Sequence, residues 1–118
     1  MIVSKLSEGS DLKVLKMDSF QKEFNKFPYN IRENIVSIID KYLDGERLPA
    51  TEFKTFKIDK DTKIQEFKAK DHTGNWRAIS CIVKKDYLIL VYAFHKKSQA
   101  LLEKDKDTIR KRIKRIEL

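Results

Sequence analysis

Residues Tyr87 to Phe94 read Tyr-Leu-Ile-Leu-Val-Tyr-Ala-Phe, eight apolar residues without a break. The run is rich in β-branched and aromatic types, and it predicts a buried central strand. A strand that deep in a core is rigid. It gives way at once to His95-Lys96-Lys97-Ser98-Gln99. Cationic and proton-carrying groups are therefore expected at a fixed edge of a sheet, where a polyanion can be held or cut. Arg77, in Gly74-Asn-Trp-Arg77, lies ten residues before this strand.

A chain of 118 residues is expected to form a single domain, 1–118, with one modest core. Hydrophobic content of 41%, with seven Phe, four Tyr and one Trp, argues for a folded protein rather than a disordered tail. The net charge of +8 is unevenly spread: residues 1–63 carry 12 Lys/Arg and 11 Asp/Glu, residues 64–118 carry 14 and 7. The surplus sits in the second half and points to a polyanionic partner: nucleic acid, an acidic protein or an anionic membrane. A single cysteine, Cys81, excludes an internal disulfide or a cysteine-based metal cluster and reads as a small buried hydrophobe. The N-terminus has no apolar stretch of the kind a secretory signal needs, and no run is long enough for a transmembrane helix, so a cytoplasmic location is expected.

Leu12, Val14 and Leu15 are candidates for a short edge strand. Phe20, Phe24 and Phe27 follow at i, i+4 and i+7, one face of a helix with Asp18 or Ser19 as its cap. Pro28 interrupts it. A second helix carries Ile31, Ile35, Ile38, Ile39 and Tyr42 on one stripe and stops at Asp44-Gly45, where glycine can take a left-handed cap. The two helices read as a hairpin. Leu48 to Asp61 reads as a polar connection anchored by Phe53, Phe56 and Ile58. Strands are expected near Ile64–Lys70, Trp76–Val83 and Tyr87–Phe94, with turn chemistry at Asp71–Asn75 and Lys84–Asp86. Such short connections make an antiparallel meander. A last helix, capped by Asp105 or Asp107, sets Ile109, Ile113 and Ile116 on one face and Arg110, Lys111, Arg112, Lys114 and Arg115 on the other. The fold class is α+β: an N-terminal helical hairpin packed on a small twisted antiparallel sheet, with a basic C-terminal helix.

No metal-site spacing appears: His72 and His95 stand 23 residues apart, with no cysteine or acidic cluster joining them. There is no glycine-rich phosphate loop, and neither Ser80 nor Ser98 has an evident base. What remains is a set of cations with a few proton carriers. Arg77 in isolation reads as a surface or ion-paired group, and Glu66 on the neighbouring strand is a natural partner for it. Trp76 and Tyr92 read as core, although the Tyr92 hydroxyl could reach a site. His95 titrates near neutral pH and can take or give a proton, or can simply be an exposed strand-end histidine.

Taken in order, the helical hairpin, Ile64-Gln-Glu66-Phe-Lys68, Gly74-Asn-Trp-Arg77-Ala-Ile, Leu88-Ile-Leu-Val-Tyr-Ala-Phe94-His-Lys96-Lys97-Ser-Gln99 and the basic helix resemble the RelE/ParE superfamily of bacterial and phage toxins, in particular its HigB-like, phage-derived branch. The similarity covers about residues 15–116. Leu101-Leu102 stands where that family usually has a proline, His95 where a small or aliphatic residue is usual, and Gln65 where an arginine beside Glu66 is usual, with Lys68 a possible substitute.

The resemblance implies a toxin of a type II toxin–antitoxin system, a ribosome-dependent mRNA endonuclease that uses the RNA 2′-OH as nucleophile and needs no metal or cofactor. It implies that Arg77 clamps the scissile phosphate, that Glu66 or His95 takes the 2′-OH proton, that His95 or Tyr92 protonates the leaving oxygen, and that Lys97 adds charge. Lys68, Lys70 and Lys96 are expected to contact RNA, as are Arg110, Arg112 and Arg115 on the final helix. The implied partners are mRNA, the ribosome and a cognate antitoxin, often a helix-turn-helix DNA binder, and not a membrane. Two other readings share the fold: a ParE-like inhibitor of DNA gyrase, and a non-catalytic RNA-binding module.

Overall fold

A computed structural model describes residues 12–97 and 100–117. Ser98 and Gln99 of the strand-end element lie outside the described residues, as do the first eleven. The chain runs β1 (Lys13–Lys16), α1 (Asp18–Phe24), α2 (Tyr29–Leu43), β2 (Phe53–Lys57), β3 (Lys63–Asp71), β4 (Gly74–Val83), β5 (Tyr87–Lys96) and α3 (Glu103–Lys114). The strands form one sheet in the order β1-β5-β4-β3-β2. The α+β class is as expected, with α1 and α2 following one another onto the same core, and the apolar run of β5 lies inside the sheet between β1 and β4.

Two features depart from the sequence reading. β1 pairs in parallel with β5, Lys13 opposite Tyr87 and Lys16 opposite Leu90, so the sheet is mixed rather than wholly antiparallel. The stretch read as a polar connection contains β2, paired antiparallel with β3. Its two phenylalanines are three apart and face opposite ways, which hides the period of two. Phe53 packs on Tyr42 and Phe67, whereas Phe56 packs with the Ile58 and Ile64 cluster on the other side.

The helices divide between the two faces. α1 and α2 bring Phe20, Phe24, Ile31, Ile35, Ile38 and Leu43 onto Val14, Phe67, Ala69, Ala78, Leu88 and Leu90. α3 crosses the opposite face, where Ile109 is wholly buried against Ile58, Ile64 and Ile79. Removing that apolar surface from water is the main stabilising contribution on each side. Neither of the expected N-caps forms. Met17 and Leu102 occupy the N-cap positions of α1 and α3 without a side-chain hydrogen bond. Asp18 and Asp105 instead sit in the first turns, where a negative charge meets the positive end of the helix dipole. α2 ends as expected, with Asp44 at its C-cap and Gly45 at φ 79°.

One irregularity in β5 decides which side chains face the site. Ile79 pairs with Tyr92 but Ser80 pairs with Leu90, leaving Val91 as an extra residue in the strand. Such a bulge shifts the alternation of side chains by one. Before it, Leu88 and Leu90 face α1 and α2. After it, Tyr92 and Phe94 face α3, and Lys96 follows them in step.

Candidate active site

The pairing register lays out the α3 face of the sheet in rows. Lys54, Glu66, Ile79 and Tyr92 are successive partners across β2 to β5, and Lys68, Arg77 and Phe94 form the next row. Lys70, Asn75 and Lys96 form a third. α3 covers the first row at Ile79 and Tyr92. The rest is an open polar corner.

At its centre is Glu66, whose side chain is only 3% exposed. Its Oε2 lies 3.3 Å from Arg77 Nε and 3.8 Å from Lys96 Nζ. A carboxylate this deep persists only with cations beside it. The approach of Arg77 is not well aligned, since neither Oε2 nor Nε makes a hydrogen bond of good geometry. Arg77 Nη1 donates instead to the Trp76 carbonyl at 3.1 Å. Burial pushes the Arg77 guanidinium down from its ordinary pKa, against the pull of Glu66.

Lys68 reaches out of the same row, and its Nζ donates to the Ala50 carbonyl at 2.9 Å. Its pKa is lowered, first by burial and then by the charges of Arg77, Lys54 and Lys96, with Glu66 opposing. Two cations thus touch the one carboxylate, and two more share its face of the sheet, Lys68 on the Ala50 carbonyl and Lys54 over the Phe56 ring. The positive surplus is an electrostatic seat for an anion. Arg77, Glu66, Lys68 and Lys96, all singled out from the sequence, are brought together. Lys54 escapes a reading of the sequence because its strand does.

The remaining candidates are placed elsewhere. His95 is sent by the pleat to the opposite face, where its ring stacks on Trp76 at 4.3 Å and 17°. It also lies against Gly74, at φ 144°, where a Cβ would collide with the imidazole Nε2. His95 therefore does not join Glu66 and Arg77 as a proton carrier. Tyr92 shares their face, but its hydroxyl donates to buried Asp105 at 2.7 Å. Burial, then that carboxylate, raises its pKa further above the ordinary phenol value. Its proton is committed to α3.

Arg110 and Arg112 do not stand free on α3. Arg110 is bound to Asp59, Glu103 and Asp107. The Arg112 guanidinium makes two bonds of 2.8 Å to the Glu23 carboxylate and one of 3.0 Å to the Val91 carbonyl. Both were expected on the RNA-facing side, and both are instead ties between elements. Lys70, Lys97 and Arg115 are exposed. Lys97 lines a small cleft of about 160 Å³ with Tyr92, Phe94, Leu102 and Lys104. Among the described residues no group of His, Cys, Asp and Glu is placed to hold a metal ion, and no helix is long and apolar enough to cross a membrane.

The sequence matches the family described as Phage derived protein Gp49-like (DUF891) over residues 22–114. No curated protein matches it. Among solved structures, a mutant of the Escherichia coli toxin RelE in the free state is similar at a TM-score of 0.54 and 15% identity, covering 87% of this chain and 95% of that one. The arrangement described above is thus a RelE-like fold.

Proposed function

The chain belongs to the phage-derived Gp49-like family, and from that premise we propose that it is the toxin of a type II toxin–antitoxin pair, an endoribonuclease that cuts mRNA on the ribosome. One observation carries the chemistry: Arg77 and Lys96 flank the single carboxylate of Glu66, and Lys54 and Lys68 stand in the same and the next row of that face. That set suits a phosphodiester passing through a transition state of increased negative charge. RNA brings its own nucleophile in the 2′-OH, so the protein has to align the strand and hold charge.

With Nε turned to Glu66 and Nη1 on the Trp76 carbonyl, the Nη2 end of Arg77 is left to take a phosphate oxygen. Lys96 meets the charge developing on the 5′-oxygen and can give it a proton. Glu66 orients both cations. When an incoming phosphate draws Lys96 from it, its carboxylate becomes the acceptor for the 2′-OH proton. The products are a 2′,3′-cyclic phosphate and a 5′-OH. Lys70 and Lys97 flank the path of the strand, and Arg115 extends the basic surface along α3. An antitoxin, of helix-turn-helix type in this reading, binds the toxin and holds it inactive in the cytoplasm.

Controlled expression of the wild type and of Arg77→Ala, followed by sequencing of RNA 5′ ends, tests this. Codon-phased cuts are expected in the wild type and none with Arg77→Ala, although that variant keeps its circular-dichroism spectrum. Intact mRNA alongside a DNA-damage response would overturn the nuclease in favour of gyrase inhibition.

A further inference from the structure

The β4–β5 turn sits at the end of the sheet away from Glu66, and its backbone is unusual. Lys84 has φ 54° and Lys85 has φ 66°. Val83 pairs with Tyr87, so the connection is three residues long, and its first two take the consecutive positive values of a type I′ turn, where Asn-Gly is favoured because side chains other than those of glycine, asparagine and aspartate resist that region. Lysine at both positions goes against this local preference. Departures of this kind are retained where side-chain chemistry matters more than backbone comfort.

The topology shows what these lysines join. β1 begins at Lys13, opposite Tyr87. β2 ends at Lys57, which pairs with Lys63 at the start of β3. All five strands therefore bring lysine to the same end of the sheet: Lys13, Lys57, Lys63 and the Lys84–Lys85 turn. Each is exposed. At a strand spacing of about 4.8 Å the row runs for roughly 19 Å. The C-terminal end of α3 approaches this end too, since Ile113 and Ile116 pack on the same Cys81, Ile89 and Val91 cluster as Val83 and Tyr87. It adds exposed Lys114 and Arg115. Asp61, Asp86 and Glu117 are the acids nearby, and Asp59 is occupied by Arg110.

We propose that this lysine row is a second RNA-binding face, which grips a sugar-phosphate backbone while a different segment of RNA occupies the Glu66–Arg77 corner. The choice of RNA rests on the nuclease reading. The form of the surface supports it independently of that reading. Point charges spaced along a line, with the half-buried Tyr87 ring lying under the Lys13 ammonium at 5.9 Å rather than standing out as an anchor, suit a repeating phosphate chain better than the central pocket of a protein interface.

The test replaces the turn by the pair its backbone prefers, Lys84→Asn with Lys85→Gly. Binding to a 2′-O-methyl RNA oligonucleotide, which cannot be cut, is measured against salt concentration together with the melting temperature. The expected result is a higher melting temperature, weaker binding at low salt, and a salt slope reduced by about 0.7 for each phosphate that is no longer neutralised. Lys57→Ser with Lys63→Ser, at the far corner of the same row, is expected to lower the slope similarly. Unchanged affinity and slope in both variants would overturn the proposal. So would undiminished RNA binding together with weakened binding to poly-glutamate, which would make the face one for acidic protein. Because this readout is binding rather than cleavage, it fails separately from Arg77→Ala, which tests the cutting site.

Discussion

Glu23 and Arg112, 89 residues apart in sequence, join two elements on opposite faces of the sheet at the point where β5 bulges. The carboxylate of Glu23 takes two guanidinium bonds at 2.8 Å and also accepts the Ala93 backbone N–H at 3.1 Å. Arg112 donates to the Val91 carbonyl. β1 is too short to pair with this part of β5, so two side chains satisfy the open edge in its place. They fix the bulge, and the bulge sets the facing of Lys96.

Arg112→Lys keeps the charge and removes the planar fork. A loss of about 1–3 kcal/mol in urea denaturation is expected for a charge-assisted pair that is mostly out of solvent. Cleavage should fall with it, because Lys96 is no longer held in step. If Arg112 served RNA directly, RNA affinity would fall with stability unchanged, and that outcome would refute the structural role.

Glu66→Gln separates the two duties given to that residue. Removing the negative charge at the centre of the cluster should strengthen binding of uncleavable RNA, while the cutting rate falls by roughly 10²–10⁴ as expected for loss of a general base. A variant that cuts at the wild-type rate would remove Glu66 from the mechanism.

Gly74 and His95 give a steric prediction. Gly74→Ala places a methyl where the imidazole stands, at a φ that favours glycine, and should cost about 2 kcal/mol or more in thermal or chemical denaturation. Adding His95→Ala should recover the steric part of that loss but not the backbone part. His95→Ala alone should lower stability by about 1 kcal/mol, because the stacking on Trp76 is removed, and should leave the shape of the pH–rate profile alone.

The pH dependence of stability should carry the mark of Asp59. Its hydrogen bond from Arg110, first among several causes, lowers its pKa from 3.8 to about 2. The charged carboxylate is favoured in the folded state, so the contribution is complete above pH 3.8 and is lost as pH falls through about 2. Asp59→Asn should therefore flatten the acid limb of a stability–pH curve in that window. A limb as steep as the wild type's would show that the Arg110 bond is not made in solution.

Much of the architecture is legible in the residues themselves. The β5 run and the phenylalanine and isoleucine stripes of α1 and α2 follow from period, the pairing of Glu66 with Arg77 follows from charge on neighbouring strands, and the grouping of both with the strand-end lysines follows from the family resemblance. β2 is not legible, because Phe53 and Phe56 serve different faces, and Lys54 is hidden with it. His95 and Lys96 are neighbours in sequence, and only the pleat assigns them to opposite sides. Arg110 and Arg112 read as RNA contacts on the basic helix face because their acidic partners, Asp59 and Glu23, are 51 and 89 residues away. Long-range pairing of that kind leaves no local pattern.

The extra residue at Val91 makes the chemistry of this protein depend on a count. If β5 flattened at constant length, every side chain after Val91 would change sides, and an imidazole would replace an ammonium beside Glu66. Deleting Val91 would keep the lysine in place while abolishing the carbonyl that Arg112 holds. Homologous strands compared by residue identity alone would miss this difference; compared by odd or even spacing from the arginine row, they would show at once which of two proton carriers each one presents.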